Sequence, residues 1–276
     1  MTSERTTATT APHFGGRPVL LTGAAGALGR VLLSALHAEG VPLIASDIRP
    51  FPDALPSGVR YVQADLGQRD AVLDLARGVG CILHFGGLSV EHPFEPIMHA
   101  NVRGTQHVFE AAARESARVI FASSNHAIGF HERSERLAED CALRPDGFYG
   151  WSKAVGELMA RLYHDKHGVE SVSIRIGSSF PTPRDRRMLS TWMSYRDLVS
   201  LVRCCMETPA VGCMVAWGIS DNPRRWWSTG AWQKLGFVPQ DTAETFADQV
   251  DMSLRDAVSE RYQGGTFCAD GYTRKD

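Results

Sequence analysis

A tyrosine and a lysine stand four residues apart, at Tyr149 and Lys153. On a helix this spacing places both side chains on one face, a turn apart. A lysine ammonium beside a phenol favours the phenolate, so we expect the pKa of Tyr149 to fall below its ordinary value of about 10. Such a tyrosine can act as a general base near neutral pH. An exposed helix pair without chemistry fits the same spacing, so the surrounding sequence has to decide between the two.

A glycine-rich turn, with glycines at Gly23, Gly26 and Gly29, follows the first apolar run and opens an amphipathic segment. Gly23 permits a tight turn, Gly26 lets the backbone approach a pyrophosphate, and Gly29 lets the helix pack closely on a sheet. The N–H groups and positive dipole end of that helix favour phosphate. The turn therefore predicts a dinucleotide site.

Two aspartates follow the next predicted strands. Asp47 ends the second strand, where a carboxylate can accept hydrogen bonds from ribose hydroxyls and repels a 2′-phosphate. This position predicts NAD rather than NADP, although Arg49 could soften the discrimination. Asp65 and Leu66 follow the third strand, where a side chain can reach the adenine, but a plain loop aspartate explains Asp65 nearly as well.

Polar residues follow the fifth predicted strand in the segment Ser123-Ser124-Asn125-His126. The carboxyl end of this strand lies at the same sheet edge as the glycine-rich turn. Ser124 can therefore hydrogen-bond a substrate oxygen while Tyr149 handles the proton. Asn101, in the preceding helical segment, supplies another polar side chain that faces the sheet.

The composition excludes several classes of function. A formal net charge of -2 and the absence of a basic block argue against nucleic acid or an anionic membrane as a partner. No apolar run reaches transmembrane length. The six cysteines form no Cys-x-x-Cys pair, which favours reduced thiols in the cytoplasm. The histidines include no His-Glu-x-x-His motif, so no metal site is expected.

Strands alternate with helices along most of the chain. The predicted strands cover residues 18–22, 41–46, 59–63, 81–85, 118–122 and 171–176, with helices at 28–39, 96–115 and 148–167. Apolar runs without a period of two indicate a parallel sheet covered on both faces, a Rossmann-type doubly wound α/β fold. We expect a disordered leader over residues 1–17, an NAD-binding domain over 18–180, and a small C-terminal substrate lobe over 181–276. No linker precedes the lobe, so it should not be an independent domain.

The motifs in this order resemble a known superfamily. Gly-x-x-Gly-x-x-Gly, Asn-Val-x-Gly-Thr, Ser-Ser and Tyr-x-x-x-Lys look like the extended short-chain dehydrogenase/reductase (NAD-dependent epimerase/dehydratase) superfamily over about residues 18–177. Longer blocks at residues 84–91, 121–126, 187–192 and 263–267 closely resemble the uronate dehydrogenase family. That resemblance implies NAD-dependent oxidation of the C1 hydroxyl of cyclic D-glucuronate or D-galacturonate to an aldarolactone. We expect a cytoplasmic homo-oligomer acting on this small hexuronate.

The resemblance also implies residue roles. Tyr149 is the proton acceptor, and Lys153 lowers its pKa and holds the nicotinamide ribose. The implied substrate contacts are Ser89, Ser124, Asn125, His126, Tyr149, Ser178 and Arg187. The implied cofactor contacts are Gly23, Gly26, Ala27, Leu28, Gly29, Asp47, Ile48, Asp65, Leu66, Phe85, Gly86, Gly87, Asn101, Tyr149, Lys153 and Ile176.

Arg187 should pair with the C6 carboxylate, because a bidentate guanidinium suits a carboxylate far better than a neutral sugar. Other interpretations stay open. Arg184, Arg186 and Arg187 could form a solvated cationic turn, or Arg186 could be the anchor. Ser178 could only cap a loop, and His126 could simply satisfy a backbone carbonyl.

Two other functions remain alternatives. The first is a sugar-nucleotide epimerase or dehydratase on the same fold, which must hold a nucleotide diphosphate in the C-terminal lobe. Only about a hundred residues follow the last predicted strand, which favours a small substrate instead. The second is a non-catalytic dinucleotide-sensing regulator, which has no need to keep Tyr149, Lys153 and Ser124 together.

Overall fold

The computed structural model describes residues 14–274. The strands are β1 (Val19–Thr22), β2 (Leu43–Asp47), β3 (Arg60–Gln63), β4 (Cys81–His84), β5 (Arg118–Ser124), β6 (Ser171–Ile176), β7 (Ser178–Ser179), β8 (Trp192–Met193) and β9 (Cys213–Gly218). Seven of them form one parallel sheet in the order β3-β2-β1-β4-β5-β6-β9, and β7 pairs with β8 outside it. This arrangement confirms the predicted Rossmann-type fold.

Helices connect the strands. They are α1 (Ala27–Ala38), α2 (Arg69–Leu75), α3 (Phe94–Ile97), α4 (Gly104–Glu115), α5 (Phe148–His167), α6 (Met188–Thr191), α7 (Tyr195–Glu207), α8 (Gly230–Leu235), α9 (Ala257–Arg261) and α10 (Thr266–Ala269). A π-helical segment, Met98–Arg103, joins α3 to α4, so the single helix predicted over 96–115 is interrupted. Among residues 14–274, no helix is both long and apolar enough to span a membrane.

The apolar residues of the strands alternate between two cores. Leu21 of β1 packs in one core with residues of α1 and α7, such as Leu32 and Leu198. Leu20 packs in the other core with residues of α2, α4 and α5, such as Val108. Because both faces of the sheet are covered, β1 and β4 are apolar at nearly every position, and β6 is buried throughout although its polar and apolar residues alternate.

The strand order reverses at β1, whose neighbours are β2 on one side and β4 on the other. Connections therefore leave the sheet in opposite directions at the carboxyl ends of β1 and β4. In open α/β sheets this switch point leaves a crevice in which ligands bind. The glycine-rich turn after β1 and the loop after β4 form its two sides.

The predicted domain boundary at residue 180 was wrong. Strand β9 pairs with β6 from Ser171 opposite Cys213 to Ile176 opposite Gly218, so the sheet continues well past that boundary. The irregular sequence after residue 180 that suggested a lobe belongs to the connection between β6 and β9, which contains β7 and β8. The part of the C-terminal region outside the sheet consists of the connection between β6 and β9 and of the segment after β9.

The predicted leader needs a similar correction at its end. Residues 1–13 lie outside the described residues, but residues 14–17 pack against the domain. The guanidinium of Arg17 donates to the carbonyls of Gly78, at 3.3 Å, and Val79. Phe14 covers Gly80 so closely that a Cβ there would lie 2.3 Å from the Phe14 Cβ. The packed domain therefore includes Phe14 to Arg17.

Candidate active site

A cleft of about 940 Å³ follows the carboxyl ends of the central strands. All predicted site residues except Asn101 and Asn125 line it, namely Gly23, Gly26, Ala27, Leu28, Gly29, Asp47, Ile48, Asp65, Leu66, Phe85, Gly86, Gly87, Ser89, Ser124, His126, Tyr149, Lys153, Ile176, Ser178 and Arg187. The glycine-rich turn lies at one end of the cleft. Residues of the C-terminal segment, including Gly265 and Phe267, line the other.

The glycine-rich turn has the geometry of a phosphate-binding loop. Gly23 has a φ of +73°, and a Cβ there would lie 2.4 Å from the carbonyl oxygen of Phe85. A Cβ on Gly29 would lie 2.0 Å from the oxygen of Gly23, so α1 packs against the turn only without a side chain. A Cβ on Gly26 would meet only that oxygen, at 3.1 Å. No side chain of the described chain caps the α1 N-terminus at Gly26, which leaves it available to an anion.

Asp47 lies beside this turn and is 9% exposed. Its Oδ2 accepts a hydrogen bond of 3.1 Å from the Ala25 N–H, and its Oδ1 accepts one of 3.1 Å from the Arg49 N–H. The neighbouring Ser46 hydroxyl is buried, and its oxygen has no hydrogen-bond partner within residues 14–274. Both side chains belong to residues that line the cleft. An oriented carboxylate and an unsatisfied hydroxyl fit the ribose of a dinucleotide.

Asp65, another predicted cofactor residue, has structural hydrogen bonds. Oδ1 of Asp65 accepts from the Gly67 N–H at 2.8 Å, and Oδ2 lies 2.9 Å from Nε2 of His99. Asp65 therefore holds its own loop in place, while Leu66 beside it lines the cleft.

Asn101 is turned away from the cleft. Its side-chain amide exchanges hydrogen bonds with the backbone of Leu88, at 2.8 and 3.0 Å, and donates to the Ser152 hydroxyl at 2.9 Å. Ser152 in turn donates to the carbonyl of Tyr149 at 2.7 Å. Asn101 thus links the loop after β4 to helix α5, and this function differs from the cofactor contact that the sequence suggested.

Tyr149 and Lys153 lie on one face of α5, and each is 7% exposed. Nζ of Lys153 lies 5.6 Å from the centroid of the Tyr149 ring. Burial raises the pKa of Tyr149 to about 12, a hydrogen bond with Ser124 acts to lower it, and the charge of Asp146 raises it. Burial lowers the pKa of Lys153 to about 8. The structure brings the pair and Ser124 together, but the predicted lowering of the Tyr149 pKa was wrong, because the loss of water on burial outweighs the other effects.

Arg187 is the central cation at the far end of the cleft. Its Nε donates to the Gln263 carbonyl at 2.8 Å, and its Nη1 lies 3.3 Å from the Ser178 hydroxyl. With the Asn125 amide oriented to suit its neighbours, Nη2 donates to Oδ1 of Asn125 at 2.6 Å. Burial lowers the pKa of Arg187 to about 10. Within residues 14–274 this guanidinium has no carboxylate within salt-bridge distance, although the charges of Asp185 and Asp146 act on it, so the cleft contains a half-buried cation without an ion-pair partner.

The neighbouring arginines are already engaged. Arg186 forms an ion pair with Glu260, and the guanidinium of Arg184 lies 4.0 Å from the centroid of the Phe180 ring. Arg187 differs from Arg186 in having no ion pair among the described residues, and from Arg184 in lining the cleft.

Two of the other predicted sugar contacts, Ser178 and Asn125, bond Arg187 directly. Ser178 shares a hydrogen bond of 3.0 Å with Thr191 as well as its contact with Arg187, so it does more than cap a loop. Asn125 is buried behind Arg187, where its Nδ2 donates to the Ile176 carbonyl at 3.2 Å. It orients the arginine from outside the cleft lining. His126 lines the cleft, and its Nδ1 bonds a carboxylate rather than a backbone carbonyl.

Three residues important to the site were missed from the sequence. Glu91 accepts hydrogen bonds from the first N–H groups of α5, Asp146 bonds His126, and Phe267 stacks on the His126 ring with centroids 3.9 Å apart. Glu91 and Phe267 lie inside blocks that carried the family resemblance, which was an available signal. Asp146 lay in no such block.

Comparisons with known proteins agree with this geometry. Residues 19–207 match the NAD dependent epimerase/dehydratase family. The chain is 48% identical to a uronate dehydrogenase of Pseudomonas syringae pv. tomato, over 92% of this chain and 94% of that protein. It is 44% identical to a uronate dehydrogenase of Agrobacterium fabrum, over 90% of this chain and 96% of that protein.

A solved structure gives the same result. Uronate dehydrogenase from Agrobacterium tumefaciens, as a tyrosine-to-alanine mutant complexed with NAD, has a TM-score of 0.87 and 42% identity, covering 92% of this chain and 97% of that one. The predicted family, oxidoreductase class and NAD cofactor are confirmed by these relatives. The chain belongs to the uronate dehydrogenase family, within the NAD dependent epimerase/dehydratase family.

Proposed function

We propose that this protein oxidises the C1 hydroxyl of a cyclic hexuronic acid, D-glucuronate or D-galacturonate, to an aldarolactone with NAD. The observation that carries the proposal is Arg187, a half-buried guanidinium on the cleft wall that forms no ion pair with a carboxylate of the described residues. A bound sugar carboxylate would supply that counter-charge. The names of the similar uronate dehydrogenases support the same substrate class.

Arg187 and Ser178 would hold the carboxylate at C6, which orients the opposite side of the sugar ring toward Tyr149. Ser124, which hydrogen-bonds Tyr149, would hold the reacting C1 oxygen. Fixing the sugar at both ends supplies the proximity that a hydride transfer needs. The low exposure of Tyr149 and Lys153 keeps water away from the reacting groups.

Tyr149 would remove the proton from the C1 hydroxyl as C1 loses its hydride. The glycine-rich turn and Asp47 would hold NAD, which would supply the hydride acceptor when bound. The phenol of Tyr149 needs help to lose its proton, because burial raises its pKa to about 12. Lys153, which lies beside the same ring, would stabilise the phenolate and bind the nicotinamide ribose. The product is a lactone because the ring oxygen is bonded to C1.

We further propose a cytoplasmic homo-oligomer. The cysteines of residues 14–274 are all free thiols, which suits a reducing compartment. Leu158 and Leu162 of α5 are 60% and 55% exposed, and an exposed apolar pair on one helix suits contact with another subunit. Light scattering coupled to size exclusion tests the assembly, and a monomer would contradict it.

The test is NADH formation when D-glucuronate or D-galacturonate is added to protein and NAD. Tyr149→Phe should lower kcat by about 100- to 10,000-fold, the usual contribution of general acid–base catalysis. Tyr163→Phe is the matched control on the same helix, since Tyr163 stacks on Phe109 outside the cleft lining. Absence of turnover with both sugars would refute the substrate, and full activity of Tyr149→Phe would refute the mechanism.

A further inference from the structure

A buried carboxylate pairs with a histidine in the cleft beside Tyr149. Oδ2 of Asp146 lies 2.6 Å from Nδ1 of His126, and the Asp146 side chain is 0% exposed while that of His126 is 12% exposed. His126 follows β5, and Asp146 lies just before α5. The pair therefore stands where the two elements that carry Ser124 and Tyr149 meet.

The surrounding chain is shaped around this carboxylate. A Cβ added at Gly129, Gly150 or Gly264 would lie 1.9, 2.8 or 2.0 Å from an oxygen of Asp146. Those glycines come from the segment after β5, from α5 and from the C-terminal segment. Three separate parts of the fold thus enclose the Asp146 side chain, and each approaches it so closely that only glycine fits at the point of contact.

The carboxylate of Asp146 has few direct partners in the rest of the protein, although the charge of Arg187 also acts on it. Within residues 14–274 its ion-pair partner is His126 and no lysine or arginine, and its Oδ1 has no hydrogen-bond partner. Burying a carboxylate under these conditions is unfavourable. A purely structural role would be served better by an amide or an apolar residue, so the carboxylate points to a role that acts through His126.

The contact determines which nitrogen of His126 is available. Because Nδ1 bonds the carboxylate, it carries a proton, and Nε2 is an acceptor when the ring carries no second proton. Nε2 has no partner in the part of the chain that the structure describes. The ring is held by stacking on Phe267 at 3.9 Å, with the Tyr149 ring edge-on at 5.8 Å. A fixed acceptor therefore lies close to the general base.

We propose that Asp146 is a positioning residue that holds His126 with its proton on Nδ1, so that Nε2 accepts a hydrogen bond from a sugar hydroxyl near the reacting carbon. This inference rests on the proposed function, because the proposed function is what identifies the sugar as a hexuronate. The His126–Asp146 pair would thereby select sugars by the placement of a hydroxyl, while Arg187 selects them by charge.

Asp146→Asn tests the coupling, because an asparagine amide can donate to Nδ1 and move the ring proton to Nε2. We expect kcat/KM for the hexuronate to fall by about 10- to 100-fold, as for other residues that orient a ligand-binding histidine. In a His126→Ala background the same substitution should change kcat/KM by less than about threefold, since its partner is gone. Equal losses in both backgrounds would show that Asp146 acts independently of His126 and would overturn the proposal.

A second measurement needs neither substrate nor a variant of Asp146. Nitrogen NMR of the His126 ring in the ligand-free protein should show a protonated Nδ1 and an unprotonated Nε2. The opposite tautomer would overturn the proposal, even if Asp146→Asn fails to fold.

His126→Asn keeps a donor for Asp146 but lacks Nε2, and it should lose as much kcat/KM as His126→Ala. If wild-type protein oxidises neither hexuronate, the proposed function fails, while the NMR result still decides the state of the pair.

Discussion

The backbone N–H of Tyr149 donates a hydrogen bond of 2.8 Å to Oε2 of Glu91. The other oxygen, Oε1, accepts from the Phe148 N–H at 2.9 Å, so one carboxylate caps the start of α5. The N-cap residue itself, Gly147, offers no side chain, and the first turn of α5 contains no acidic residue. Ser89 lies two residues before Glu91 on the loop after β4. Glu91 therefore joins the loop that carries a predicted sugar contact to the helix that carries the predicted base.

Replacing Glu91 should affect both stability and catalysis. We expect Glu91→Ala to lower the free energy of unfolding by about 1–2 kcal/mol, the usual effect of losing a helix N-terminal cap. We also expect kcat to fall several-fold, because the loop after β4 and Tyr149 lose their common anchor. Urea unfolding and initial rates measure the two effects. Glu95→Ala, an exposed acid on α3, is the control, and equal effects of the two substitutions would contradict the assignment.

Arg187 and Arg186 give opposite predictions although they are adjacent. Arg187→Ala should raise KM for the hexuronate by about 100-fold, since two hydrogen bonds to a charged group are lost, and should leave KM for NAD nearly unchanged. Arg186→Ala should change KM for the sugar by less than about threefold, because its charge is paired with Glu260. Steady-state kinetics with each substrate varied in turn measures both. A larger rise in KM for the sugar with Arg186→Ala than with Arg187→Ala would show that Arg186 binds the carboxylate instead.

Asp47 should control the choice between NAD and NADP. Asp47→Ser removes the carboxylate that would bind the ribose hydroxyls and repel a 2′-phosphate, and Arg49 is already beside it. The ratio of kcat/KM for NAD to that for NADP should fall by about 10- to 100-fold. Asp53→Asn is the control, because Asp53 pairs with Arg30 at the surface. An unchanged ratio in Asp47→Ser would remove the assigned role.

His84 should make the protein less stable in acid. Burial, followed by the charge of Lys153, lowers its pKa to about 3, and its two nitrogens lie 2.9 and 3.0 Å from the hydroxyls of Thr22 and Thr105. The unfolded chain therefore binds more protons than the folded chain between about pH 6.5 and pH 3. Neutral His84 makes its full contribution to the free energy of unfolding above pH 6.5. That contribution is lost as the pH falls from 6.5 to 3, by about 1.4 kcal/mol per pH unit at most.

The measurement is the free energy of unfolding in urea at several values between pH 7 and pH 4. His84→Asn removes the group that is protonated, so its free energy of unfolding should fall less steeply as the pH is lowered. The slope should differ from that of wild type by at most the binding of one proton. His167→Asn, an exposed position at the end of α5, should retain the wild-type slope. Identical slopes for wild type and His84→Asn would mean that His84 is not neutral in the fold.

Local patterns were enough to predict most of the fold. The first six strands of the sheet lie between turn residues, and each was predicted to within about two residues at either end. Strand β9 is an apolar run, but it follows an irregular connection and was taken as part of a lobe. A buried parallel strand shows no alternation, so its place in the sheet depends on pairing with β6, which the sequence does not display.

In the candidate site, too, residues in visible motifs were predicted, and contacts between distant parts of the chain were not. Motif residues such as Gly23, Tyr149 and Arg187 were predicted because their spacing or family resemblance is visible in the sequence. The contact of Glu91 with Tyr149 joins residues 58 positions apart and leaves no local pattern. The pKa of Tyr149 was predicted in the wrong direction because the sequence shows the lysine four residues later but not the extent of burial.

The most direct test of the account compares D-glucuronate with D-glucose, which differs from it only at C6. We expect NADH formation with D-glucuronate and a kcat/KM at least about 100-fold lower with D-glucose, because Arg187 then has no carboxylate to bind. The sugar product recovered at early times should be a lactone. Similar kcat/KM values for the two sugars, or no NADH from either D-glucuronate or D-galacturonate, would contradict the central claim that this cleft oxidises hexuronates.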